Sequence, residues 1–137
     1  MRAPAFLSAL LIPLLLAGGC GGERTFTADD FVAEVNAEGA EIELGDVITT
    51  NQEGVEVRAI QLGSTGLSPT GAAAEPGATG AMLVLGDAGA AEDELDRCES
   101  APAFTCFRAA NVVLRFEDIF PEEQQRLSEA FQAIASG

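Results

Sequence analysis

The chain has 137 residues, 47% of them hydrophobic, with 22 acidic side chains against seven basic ones and a net charge of −15. So acidic a surface repels DNA, RNA and anionic headgroups, and no nucleic-acid partner is expected. Histidine and lysine are absent, which removes Ser-His and Cys-His nucleophile pairs, ordinary zinc sites, Schiff bases and the GxxxxGK[ST] phosphate loop.

From Ala3 to Ala17 the chain is uncharged and rich in Leu, Ala, Ile and Phe, with Arg2 and the amino terminus as a positive flank. That run has the length of a secretory h-region. It falls short of the about 20 apolar residues that cross a bilayer, and Pro4 and Pro13 interrupt it. It closes on Leu16-Ala17-Gly18-Gly19-Cys20, where small residues precede a cysteine. This pattern resembles the lipobox of bacterial lipoprotein precursors. The resemblance covers residues 1–22 and implies that residues 1–19 form a signal peptide cut before Cys20, whose thiol is diacylated. Two acyl chains hold a protein stably on a bilayer, where one does not. Residues 20–25 then form the lipidated cysteine and its tether, and the address is the extracytoplasmic face of a cell membrane.

Cleavage would leave 118 residues in which, with Arg2 gone, six arginines face 22 acids, a side-chain balance of −16. That length suits one domain, over 26–137, with a modest core. Once Cys20 is claimed by lipid, Cys98 and Cys106 are the remaining pair. Outside the cytoplasm such a pair is expected to form a disulfide.

Within the domain the first element is a helix over 28–38. Thr27 is its N-cap with Asp30 at N3, Phe26 and Phe31 form a hydrophobic staple, and Gly39 terminates it. Ile42 and Leu44 alternate with Glu41 and Glu43 as a short strand, with a turn near Asn51–Gly54. Val55, Val57, Ala59, Ile60 and Leu62 mark a second strand, and Met82–Leu85 a third, apolar throughout and therefore central. Residues 63–80 are nearly uncharged and rich in Gly, Ala, Ser, Thr and Pro, a composition expected of a flexible loop.

Asp87 caps a second helix over 88–98, with Ala88, Ala91, Leu95 and Cys98 on its inner face. Asn111 to Phe116 is the next strand, entered from a loop holding Cys106. The order strand, helix, strand allows a right-handed crossover between 81–86 and 110–116. Pro121 opens the last helix at N1, with Glu122 and Glu123 in its first turn and Leu127, Ala130, Phe131 and Ile134 facing the sheet. The expected fold is α+β: an antiparallel or mixed sheet of about four strands, covered by three helices in the order α-β-β-β-α-β-α.

Candidate chemistry is sparse. The acidic group Asp87, Glu92, Asp93, Glu94 and Asp96 is where a calcium ion would be sought, because hard cations take clustered oxygen ligands. Its spacing lacks the EF-hand pattern, and a solvated helix face is the expected reading. Asn111 is expected to satisfy the backbone of an adjacent turn. No cofactor and no catalytic residue are assigned. The expectation is a lipid-anchored, non-catalytic binding or envelope-associated module whose protein partner the residues do not specify. Its rivals are a weak calcium-binding surface protein and a small carboxylate-based hydrolase.

Overall fold

The computed structural model describes residues 24–50, 55–63 and 77–136. Cys20 with the rest of the lipobox-like segment, the turn expected at Asn51–Gly54, and most of the loop expected over 63–80 lie outside these residues.

The first helix, α1, spans Ala28–Ala37, and local chemistry sets both of its ends. The Thr27 hydroxyl accepts from the Asp30 amide at 3.2 Å. The Asp30 carboxylate accepts from the Thr27 hydroxyl at 2.8 Å, where a full capping box would reach the backbone N–H. Phe26 and Phe31 meet edge to face, 5.7 Å between centroids, so the staple is in place. At the other end Gly39 has φ +93°. Its N–H donates to Asn36 O, and the Ala40 N–H donates to Val35 O, which is the Schellman closure.

Five strands follow or interleave with two more helices: β1 Ile42–Thr50, β2 Glu56–Leu62, β3 Thr79–Val84, α2 Ala88–Glu99, β4 Thr105–Ala109, β5 Val112–Phe116 and α3 Pro121–Ala135. The sheet order is β1-β2-β3-β5-β4, and each neighbouring pair is antiparallel. The fold is α+β with β3 at its centre, as the apolar run at Met82–Leu85 predicts. The count of about four strands is corrected to five, and no part of the sheet is mixed. Strand β1 is longer than the alternation at 42–44 suggests, because register shifts between Leu44 and Thr49 break its period. Strand β3 begins at Thr79, inside the expected loop.

The extra strand β4 also overturns the crossover. Helix α2 returns the chain to the start of β4 on the sheet edge. A two-residue connection, Ala110–Asn111, then reverses it into β5, so β5 lies antiparallel to β3 rather than parallel. Ala110 carries φ +49° to make that reversal.

Helices α1 and α3 cover one face of the sheet. Their core contains Phe31, Val35, Ile60, Leu62, Met82, Leu114, Phe116, Leu127 and Phe131. Edge-to-face contacts join Phe31 to Phe131, Phe131 to Phe107, and Phe107 to Phe116. The other face is thinner, with Val57, Ala81, Leu83, Leu85 and Val113 under Ala91 of α2. Gly80 lies between the layers: a Cβ there would sit 2.5 Å from the Phe116 ring and from the Arg115 carbonyl oxygen. Any side chain at 80 therefore clashes with backbone.

Two buried polar side chains hold the ends of this frame. Glu123 is fully buried, and its carboxylate accepts from the Phe120 N–H at 3.2 Å and the Ala78 N–H at 3.1 Å. It thus caps α3 and fixes the entry to β3 at once. Asn111, 1% exposed, accepts from Phe26 N at 2.6 Å and donates to Phe26 O at 3.0 Å and Leu85 O at 2.9 Å. Its partners are therefore distant backbone groups and not those of an adjacent turn. The side chain clips the start of the domain to the end of β3.

Candidate functional site

The helix that carries most of the sequence-predicted site is α2. Asp87 is its N-cap, accepting from Ala90 N at 2.8 Å, so its carboxylate is engaged in starting the helix. Glu92, Asp93 and Asp96 are exposed. Glu94 is partly buried and paired with Arg97 at 2.8 Å. Glu92 and Asp93 each lie one turn before Asp96, at i, i+4 and i, i+3, so these three share the solvent face of the helix, while Asp87 and Glu94 are already engaged elsewhere. Among the described residues, no group of three His, Cys, Asp or Glu side chains is placed to hold a metal ion.

Cys98 and Cys106 are brought together at disulfide distance, with a Cα–Cα separation of 6.2 Å. Cys106 lies within β4, not in the expected loop, so the bridge ties the end of α2 to an edge strand. It encloses the Ser100–Phe104 connection, whose turn is closed by Phe104 N donating to Ala101 O. A loop this short is expected to gain about 2–3 kcal/mol from the crosslink. Removing both sulfurs (Cys98→Ala with Cys106→Ala) should lower unfolding free energy by that amount, measured by urea denaturation under non-reducing conditions. An unchanged midpoint would show that the crosslink contributes nothing.

Clefts open on the described surface. One of about 380 Å³ lies between α2 and the β2–β3 pair, with Val55, Leu83, Leu85 and Ala90 as its apolar part and Asp93, Glu94 and Arg97 at its rim. Asp93 and Glu94 are adjacent helical positions, turned about 100° from each other, and Glu94 is taken by Arg97. This geometry does not converge two carboxylates on one bond. A second cleft, of about 270 Å³, is lined by Thr79, Gly80, Ala81, Phe104, Arg115 and Glu117. There the Arg115 guanidinium lies over the Phe104 ring, 5.5 Å from its centroid.

Sequence reasoning did not single out Arg115 or Phe104. Their juxtaposition depends on β4, the strand that was read as a loop. The available signal was the alternation of Phe107 and Ala109 with Cys106 and Arg108 ahead of Ala110–Asn111. That period-2 pattern is short and half-exposed.

The domain's first described residues form a firm starting point. Arg24 pairs with Glu34 and lies 4.8 Å from the centroid of the Phe26 ring. The hydrogen bond and charge of Glu34 raise the arginine pKa further. None of the helices in the described residues is long and apolar enough to cross a membrane. Among known proteins, no family model matches this chain, and no curated protein or solved structure is similar to it.

Proposed function

We propose that this chain is the precursor of a bacterial lipoprotein, anchored through diacylated Cys20 on the extracytoplasmic face of a membrane and serving as a non-catalytic binding module. The observation that carries the reading is Leu16-Ala17-Gly18-Gly19-Cys20, closing an uncharged apolar run a few residues before α1. Two features of the domain support it. Asn111 clips Phe26 and Glu34 pairs with Arg24, so on this reading the packed domain is joined to the lipid only a few residues after Cys20. Four residue steps reach at most about 14 Å. The Cys98–Cys106 pair also suits an oxidising compartment.

On this reading the acid excess has a mechanical effect. A side-chain balance of −16 after cleavage repels anionic headgroups over about one Debye length, roughly 8 Å at physiological salt. The lipid pulls the domain to the surface while its charge holds it off the headgroups. Weak calcium binding along α2 draws on charge alone, and no convergence of its carboxylates favours it.

Feeding cells an alkyne-tagged fatty acid tests the anchor. The wild-type chain should take up label at Cys20, and its intact mass should begin at that residue. Cys20→Ala should take up none. Equal labelling of the two chains, or a wild type that retains residues 1–19, overturns the proposal.

A further inference from the structure

In a chain with 22 acids and seven arginines, an arginine without a carboxylate is unexpected. Arg24, Arg58, Arg97 and Arg126 each pair with a glutamate. Arg108 donates to the Ala110 carbonyl. Among the described residues, Arg115 has the Phe104 ring as its contact, and no ion pair joins it to Glu117, which borders the same cleft. Arg115 is half-buried on the thinner face of the sheet, rooted in the inner strand β5 with its guanidinium over an aromatic ring. Phe104 is itself held two residues from the Cys98–Cys106 bridge. A cation held in place with its donors unpaired is preorganised for a planar anion.

The surroundings restrict which anion. The field of the whole chain repels a simple anion, and Glu117 adds to that repulsion locally. A molecule carrying both charges avoids the penalty and engages both groups. We infer that the Arg115 cleft binds a short zwitterion, an α-amino acid or dipeptide with both termini charged. Arg115 receives the carboxylate through two N–H donors, Glu117 receives the ammonium, and Phe104 with Ala81 forms the apolar wall. The cleft volume of about 270 Å³ accommodates a ligand of that size. Its position suits an anchored protein. Phe26, Asn111 and Leu85 mark one end of β3, while Thr79 and Gly80 in the cleft mark the other, about 17 Å away along the strand. The cleft therefore opens at the end of the sheet opposite the tether.

This inference rests on the binding-module reading but not on the lipid. Its test uses the full chain in detergent, followed by amide resonances in solution. The probes are alanyl-phenylalanine, its C-terminal amide, its N-acetyl form, and acetate. The free dipeptide should shift Thr79, Ala81, Arg115 and Glu117 saturably. Each blocked form should bind roughly tenfold more weakly or worse, the loss expected for a charge-assisted hydrogen-bonding group. Arg115→Gln should abolish the shifts while keeping the dispersed spectrum; should that variant fail to fold, the blocked dipeptides on wild type still decide. No saturable shift up to about 10 mM dipeptide, or acetate binding as well as the dipeptide, overturns the assignment. A silent titration leaves Cys20 labelling untouched, and failed labelling leaves the titration untouched, so the two proposals fail separately.

Discussion

Replacing Phe31 by alanine is expected to destabilise the domain by about 3–5 kcal/mol, the usual range for truncating a fully buried phenylalanine. The ring has no exposed surface and stands between Phe26 at 5.7 Å and Phe131 at 5.5 Å, both edge to face. Its removal thus breaks the contact between α1 and α3 and undoes the staple at the start of α1. Each aromatic pair adds about 0.5–1.5 kcal/mol to the apolar transfer term. Domains of this size hold about 5–15 kcal/mol in all, so the variant should unfold at a much lower urea concentration. Phe120→Ala is the control: that ring is 56% exposed, and surface changes of this kind usually stay within about 0.5 kcal/mol. A Phe31→Ala midpoint as close to wild type as that of Phe120→Ala would contradict the packing described.

Asn111→Ala should cost about 2–4 kcal/mol for a different reason. The amide makes three hydrogen bonds to backbone groups of Phe26 and Leu85, and each buried group left unpaired costs about 1–3 kcal/mol. The groups border a cleft at the start of α1, where water recovers part of that loss. Asn111→Asp separates shape from chemistry. It keeps an acceptor for Phe26 N but sets a second acceptor against two carbonyls, so it should be at least as damaging as alanine. Both variants should speed hydrogen exchange at the Phe26 amide, because the segment that enters α1 loses its clip. Unchanged exchange at Phe26 would mean that packing, not Asn111, fixes the domain's start.

Asn111 also illustrates where reading from sequence stops. Its position before an apolar strand was legible, as was its polarity. Its partners lie 85 and 26 residues away, and no local pattern encodes a contact at that separation. Glu123 is similar. Its place in the first turn of α3 follows from Pro121, yet its burial and its bond to Ala78, 45 residues distant, come from the sheet folding beneath it. For α1 every useful cue is within five residues of the helix end it acts on, and Thr27, Phe26, Phe31 and Gly39 all act as predicted.

Strand β4 shows the cost of missing one short element. Five mostly half-exposed residues, a cysteine among them, resemble a connection more than a strand. Reading them so changes the direction of β5 and separates Phe104 from Arg115. The disulfide is legible as a pair from the cysteine count once export is expected, but not as a tie between helix and edge strand. The acidic run on α2 reads as a ligand cluster in the sequence, yet in the fold Asp87 caps the helix, Glu94 pairs with Arg97, and no three of the described carboxylates are placed to hold a metal ion.

The sequence by itself determined the three helices, their caps, the central apolar strand, the cysteine pair and the excess of negative charge. Each of these depends on residue type or on spacings of a few positions, where propensity, periodicity and capping act. Only the tertiary structure decided the fifth strand, the antiparallel order, the two polar clips and the unpaired Arg115 beside Phe104 and Glu117. Those features depend on which distant segments share a sheet, and that is settled by burying two unequal apolar faces at once.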